Sequence, residues 1–438
     1  MIQVIKFFIR ASGQVFAGTS EGVVWICRGI QAWLQLSLRQ DKVILTDSAG
    51  CRNIIQAKFV QRPGSEAQLK NLIPPFESRA KPNKRLVHAF GINNCFTTAE
   101  PQRCTTFRLE ATRLIRLRGP EWKELSQTVL QVVKHSVPLQ TQAKSNLFNL
   151  MQIVTMKSIL GPLCGFDSSR SDVDGELQTL AKEINRQWLD SKEGLEKETE
   201  FANQPKLKSA LKAIAPTWDG LDDTHNPLNF ILPGYETLWR VVLRGFLEVM
   251  YRANERDSAN WRHALEDFAL NPTLAQLDKV HTDYGKVSTC MIVEETLRLY
   301  PPTRRIYRTF KVAEDEEFEA AADIEGLHRS AAAWGNDALF FNPSRWADKV
   351  NDTNFRNDNF MPFGTKPFTC VAKTGLVNEA REKCLPFGVS IIAILLGCFS
   401  AEVPAGMTPG GGGADGTWST DQPLKTGRED YRDVMIGY

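Results

Sequence analysis

Apolar and polar positions change their period several times along this chain, and each change predicts an element. Leu34, Leu36 and Leu38 alternate with Gln35 and Ser37, the two-residue period of a strand, and Val43 to Leu45 is a second short apolar run. The simple expectation for Val23 to Ile55 is a hairpin, then a helix through Ile54 and Ile55 that Asp47 can cap. Beyond Thr98 the pattern turns helical, with Ala99, Glu100 and Pro101 as a favourable first turn, because proline there lacks only a donor the helix would not use. Between Glu176 and Leu189, residues Leu177, Leu180, Ala181, Ile184 and Trp188 fall on one face and polar residues fill the other. Lys192 to Lys208, rich in Lys and Glu, predicts a solvated helix end or linker.

Asn229 to Met250 is apolar nearly all round, interrupted only by Glu236, Arg240, Arg244 and Glu248, and so predicts a helix buried on most sides. Tyr284 to Tyr300 predicts another, stopped by Pro301 and Pro302. Leu385 to Ala401 is the longest uncharged run; it is shorter than the roughly 20 residues of a spanning helix and predicts a buried core helix. Residues 403–417, with Gly410 to Gly413, form a flexible low-complexity segment that adds nothing to a core. The expected fold class is mainly α with a small β-sheet region, as one domain over residues 1–438.

The 42% apolar and 24% charged residues suit a globular chain with a sizeable core, and a net charge of +2 without a basic stripe excludes a dedicated nucleic-acid binder. Nine cysteines without a CxxC pair fit neither a disulfide framework nor a zinc site, and predict reduced thiols. The six histidines show no metal-ligand spacing. No GxGxxG or P-loop occurs, so a nicotinamide or flavin is expected on a partner. The start, MIQVIKFFIRASG, is broken by Lys6 and Arg10 and predicts no transmembrane anchor.

Four motifs stand in order: Gly234, Glu236 and Thr237 in LNFILPGYETLWRVVL; Glu295 and Arg298 in VEETLRLYPP; Pro343, Arg345 and Trp346 in FNPSRW; and Phe363, Gly364 and Cys370 in FMPFGTKPFTCVA. This order resembles the cytochrome P450 superfamily from about Asn226 to Ser400 and more faintly back to Val23. The phrases HRSAAAWGNDALFFNPSRW and PFGTKPFTC are most similar to filamentous-fungal members. The resemblance implies the cytochrome P450 fold, with heme b between the Asn229 to Met250 helix and the Cys370 loop. Cys370 would be the axial thiolate of the heme iron, Phe363 would pack beside it, and Gly364 would permit the tight turn. Arg308 would hold a heme propionate, with Arg304 and Arg305 as competitors. Glu295, Arg298 and Arg345 would form the structural charged triad. Gly234, beside Pro233, would kink the distal helix, Thr237 would hydrogen-bond activated oxygen, and Glu236 would feed protons inward. His328 in LHRS would be structural.

The residues also admit plainer readings. Glu236 can pair with Arg240, Glu294 with Arg298, and Thr237 can bond its own backbone. The loop also departs from the family pattern at Lys366, Phe368 and Ala372; an arginine that binds a propionate usually stands where Phe368 does, and Lys366 is its expected substitute. Residues 374–386 read as an insertion, around Val377 to Pro386, expected to displace the helix that normally cradles the heme.

The implied reaction is monooxygenation of a small apolar organic substrate in fungal secondary metabolism, with electrons from NADPH through a partner NADPH-cytochrome reductase docking near Lys366 and Lys373. Two alternatives stay open: a heme-thiolate isomerase or dehydratase that needs no external electrons, and a degenerate non-catalytic relative. The implied location is the cytosolic face of the endoplasmic reticulum membrane, or the cytoplasm if the chain has no anchor.

Overall fold

Helices without a polar face become the centre of this protein. A computed structural model describes residues 42–62, 64–137, 144–193, 200–218, 220, 225–281, 286–349, 352–373, 384–404, 408–410 and 419–437. The Leu34 to Leu38 run, residues 374–383 of the expected insertion and most of the glycine-rich segment lie outside the described residues. Every residue from Phe387 to Ser400 of the Phe387–Glu402 helix is buried, as its uncharged sequence predicts. It crosses the Glu255–Leu270 helix at close range because Gly397 lacks a side chain: a Cβ there would lie 2.3 Å from the Leu265 carbonyl oxygen. Gly245 of the Leu238–Leu247 helix likewise approaches Thr296 and Leu396.

The Leu147–Cys164 helix is long and apolar enough, by length and composition, to cross a membrane. Two-thirds of it (67%) is buried inside the protein, the mark of a core helix.

Asp47 caps the Ser48–Ile55 helix by accepting from the Gly50 N–H, and the helix buries Cys51, Ile54 and Ile55. Val43–Leu45 takes a distant partner, pairing in parallel with Ala320–Ala322 of strand Glu316–Asp323. That strand is antiparallel to Arg305–Ala313, with Arg308 opposite Ala320. Phe310, Phe318 and Ile54 join in a second, smaller core beneath this sheet.

The helix expected at Tyr284 to Tyr300 is observed as Thr289–Leu299, opened by Ser288 accepting from Met291 N–H and followed by Pro301. The Asp174–Glu193 helix buries Leu177, Leu180, Ala181 and Ile184 as predicted, with Trp188 half-buried. The solvated-linker expectation fails beyond residue 204. Pro205 opens the Pro205–Ile214 helix, which buries Leu207, Ala210 and Leu211; the lysines between them masked an amphipathic stripe.

The predicted Asn229 to Met250 helix is broken into Leu228–Tyr235 and Leu238–Leu247, followed by a wider turn at Glu248–Arg252. Pro233 has no N–H to give to the Asn229 carbonyl. The Asn94 side chain donates to that carbonyl instead, at 3.0 Å. Glu236 and Thr237 keep right-handed helical backbone angles, so the break interrupts the hydrogen-bond ladder without a reversal of direction.

The Phe387–Glu402 helix starts against the Cys370 loop: Gly388, in its first turn, approaches Phe363 so closely that a Cβ would lie 2.8 Å from the ring and 3.0 Å from the Ala372 carbonyl. Burial of its continuous apolar surface anchors the helix there.

Candidate active site

Local hydrogen bonds build the Cys370 loop. Gly364 N–H donates to the Met361 carbonyl at 3.0 Å, Phe368 N–H to Thr365 at 2.8 Å, and Cys370 N–H back to Phe363 at 2.8 Å. Gly364 sits at φ +68°, in the left-handed region where a side chain is strained. Cys370 is accessible on one side and closely surrounded on the others. Burial pushes its thiol above the ordinary range, while an N–H of Ala372 and the Arg108 charge act the other way. That donor set suits a metal cation, which deprotonates a thiol that coordinates it.

Of the three competing arginines only Arg308 reaches this loop. It is buried, donates to the Ile55 and Tyr307 carbonyls at 3.2 and 2.8 Å, and lies over the Phe368 ring at 4.8 Å. Arg304 pairs with Glu325 and Arg305 with Asp323. Two further cations, for which the sequence offered no signal beyond ordinary basic helix positions, converge here. Arg79, from the Pro75–Phe90 helix, stacks on Phe368 at 4.5 Å, and Arg108, from the Pro101–Leu114 helix, donates to the Thr369 carbonyl at 2.7 Å. Lys366, expected to stand in for the missing loop arginine, is exposed.

Glu295, Arg298 and Arg345 meet in one buried charge cluster. Arg298 grips Glu295 with two bonds of 2.8 Å, Arg345 reaches the same carboxylate at 3.0 Å, and the Trp346 indole N–H adds a third donor group at 3.0 Å. Glu294 turns to Arg356 rather than Arg298. His328 links this cluster to the Cys370 loop: its Nδ1 bonds the Arg298 carbonyl, and its Nε2 accepts from Met361 N–H at 2.9 Å. Burial, then the Arg298 charge, pushes His328 down to about 3, so the ring is neutral and structural.

The distal residues face different ways. Gly234 faces the Leu147–Cys164 helix, where a Cβ would lie 2.8 Å from Leu163 Cδ1, so its smallness serves helix packing. Thr237 lines a small cleft with Arg240, Tyr300, Pro301, Pro302 and Thr426. Glu236 is buried and paired with Arg428 and, at 3.5 Å, with Arg240. Burial would raise its carboxyl, but the two guanidiniums prevail and hold it below the usual range. The ionised pair matches the plainer reading of Glu236. Arg428, beyond the stretch that carried the motifs, was not anticipated; it also bonds Asn185 and lies over Trp188.

The fold is that of the cytochromes P450. Two solved structures share it: a six-coordinated cytochrome P450 from Thermus thermophilus (TM-score 0.51, 12% identity, 84% of this chain and 88% of that one), and CYP175A1 from Thermus thermophilus (TM-score 0.53, 12% identity, 85% and 88%). Curated relatives are similar over shorter stretches. Cytochrome P450 CYP749A22 of Panax ginseng is 37% identical over 25% of this chain and 21% of its own length. Cytochrome P450 734A5 of Oryza sativa subsp. japonica is 40% identical over 21% and 18%. The 11-oxo-beta-amyrin 30-oxidase of Glycyrrhiza uralensis is 29% identical over 40% and 32%. The chain thus spans less than a third of the length of each of these relatives. No protein-family model matches it. Sequence and fold together support the cytochrome P450 superfamily, while the filamentous-fungal leaning finds no support among these relatives, which are plant proteins.

Proposed function

We propose that this chain is a heme-thiolate monooxygenase of the cytochrome P450 type. The observation that carries the proposal is the Cys370 thiol, accessible on one side, hydrogen-bonded by Ala372 and held in a glycine-turned loop within a P450 fold. Heme b, when bound, supplies an iron centre that activates dioxygen and places one of its oxygen atoms in the substrate, the other leaving as water with two electrons that originate in NADPH. Cys370 would hold its iron through the thiolate sulfur, and Phe363 would pack beside that sulfur. Arg308 presents positive charge for a heme carboxylate. Thr237 offers a hydroxyl at its cleft, and Gly364 shapes the loop. Glu236, fixed by Arg428, positions the distal helix.

A small apolar organic substrate in secondary metabolism and a partner NADPH-cytochrome reductase complete the proposal. The name of the Glycyrrhiza relative, an oxidase of 11-oxo-beta-amyrin, supports the first. Exposed Lys366 beside the loop offers the second a cationic docking point. The proposed location is the cytosolic face of the endoplasmic reticulum membrane or the cytoplasm.

The fixed Glu236 pair favours one second reading, a heme-thiolate isomerase or dehydratase, because it withdraws a proton donor that dioxygen chemistry would use. Turnover without NADPH and reductase would select that reading. The central test is the absorption spectrum of the reduced protein with carbon monoxide. A strongly red-shifted Soret band, lost in Cys370→Ala, is expected, and its absence from the wild type defeats the proposal.

A further inference from the structure

We propose that Arg85 and Lys192, set against the Trp188 ring, receive the carboxylate of an organic acid. On the monooxygenase reading, on which its being the substrate rests, that acid has an apolar body and an anionic end.

Three segments far apart in the chain meet at one indole. Arg85, from the Pro75–Phe90 helix, lies 4.8 Å from the centre of the Trp188 ring, Arg428 lies 4.8 Å from it, and the Lys192 ammonium 6.0 Å. Glu236 and Arg240 join the group through Arg428 and are its link to the distal helix. The charges do not balance, because four cations share one carboxylate. Glu236 is taken by Arg428 and, at 3.5 Å, by Arg240. Arg85 donates to the Ser191 hydroxyl at 2.6 Å, and among the described residues no carboxylate pairs with it or with Lys192. The acids at the rim are engaged elsewhere: Glu183 and Asp190 with Arg186, Glu429 with Asn185 and Arg432, and Glu319 with Lys42.

Cations gathered in this way repel one another. Burial, then the Arg85 and Arg428 charges, lower the Lys192 ammonium to about 8, and burial lowers Arg85 although Glu236 is near. An incoming anion relieves both, since a partly buried charge is costly until a partner offsets it. A planar guanidinium fork matches a carboxylate in shape and charge. The Tyr235 hydroxyl, buried and under the influence of Glu236 and Arg428, bonds nothing and adds an unused polar group to the cluster. Arg240, which holds Glu236, also lines the Thr237 cleft with Val241, Pro301 and Pro302, so the cluster adjoins apolar surface suited to the body of the acid.

The test is isothermal titration of the full chain, near neutral pH, with phenylbutyrate and with its neutral amide of the same shape, phenylbutyramide. The wild type is expected to bind the acid about tenfold or more tightly than the amide, the worth of one charge-assisted hydrogen bond. Arg85→Gln should remove most of that preference and leave amide affinity unchanged, and Arg85→Lys should recover part of it. Lys192→Gln changes an exposed side chain, so it should cut the preference without unfolding the protein and decides the matter should Arg85→Gln not fold. Lys84→Gln, exposed on the same helix as Arg85, should leave the preference intact. A wild type that does not discriminate, an equal loss in Lys84→Gln, or displacement of the acid by an equal concentration of inorganic phosphate overturns the proposal. Binding is read without turnover or iron. A missing carbon monoxide band with the acid preference retained would strike the heme-thiolate reading alone, and the reverse outcome would strike the carboxylate site alone.

Discussion

Replacing Glu295 by glutamine keeps the volume and shape of a fully buried side chain while removing its charge. Glu295 Oε1 accepts from Arg298 Nη2 at 2.8 Å, Asn342 N at 2.8 Å and Arg345 Nε at 3.0 Å; Oε2 accepts from Arg298 Nε at 2.8 Å and Trp346 Nε1 at 3.0 Å. Every neighbour is a donor. Whichever way the glutamine amide turns, its NH2 faces at least two other N–H groups. Arg298 is 0% exposed and its neutralising partner would be gone, while Arg345 would keep Asp337. Removing one member of a buried pair costs about 3–5 kcal/mol, mostly for the uncompensated charge. Against a total stability of about 5–15 kcal/mol the loss is severe. The assay is urea unfolding followed by tryptophan fluorescence, to which Trp346 and Trp334, 5.4 Å apart beside the carboxylate, should respond. Glu317→Gln, which removes an exposed bridge to Lys81, is the control and should change stability by less than about 1 kcal/mol. A Glu295→Gln midpoint no lower than the control would refute the claim that this buried charge network secures the Pro343–Trp346 turn and the Cys370 loop.

Other outcomes follow from the same geometry. His328 is held near 3 when folded and titrates near 6.5 when unfolded, so between those values the unfolded chain binds the extra proton. Stability should therefore fall as pH drops from about 6.5, by at most about 1.4 kcal/mol per pH unit from this group; His328→Gln should flatten that slope in urea midpoints taken from pH 7 to pH 4. The Glu236 carboxyl is held low by Arg240 and Arg428, so its contribution is present above the ordinary carboxyl value and is lost as pH falls from there through its lower folded value. Arg428→Met should destabilise by about 3–5 kcal/mol, as for any broken buried pair. Adding Glu236→Gln should restore part of this in a double-mutant cycle, whereas additive effects would show the two residues to be uncoupled. Gly397→Ala should cost about 1–3 kcal/mol or more in thermal unfolding, because the new Cβ meets backbone at 2.3 Å and two packed helices must part; an unchanged Tm would contradict the crossing.

Periodicity and local chemistry sufficed for much of this protein. The Asp47 cap, the Leu177 to Ile184 face, the Pro301 stop and the uncharged Phe387–Glu402 helix are short-range matters, set by backbone propensity and by which side chains avoid water. The motifs marked Glu295, Arg298, Arg345, Phe363, Gly364 and Cys370 as candidates. They could not say which of several neighbouring charges would pair, because an ion pair depends on burial and distance rather than on order along the chain. Only the tertiary structure sent Glu294 to Arg356, gave Glu236 to Arg428, and brought Arg308 rather than Arg304 or Arg305 to the Phe368 ring. Packing likewise decided that the Phe387–Glu402 helix meets Phe363, and that Arg79 and Arg108 close on the Cys370 loop from remote helices. Local sequence settles which residues seek the interior; long-range packing alone settles which of them meet there.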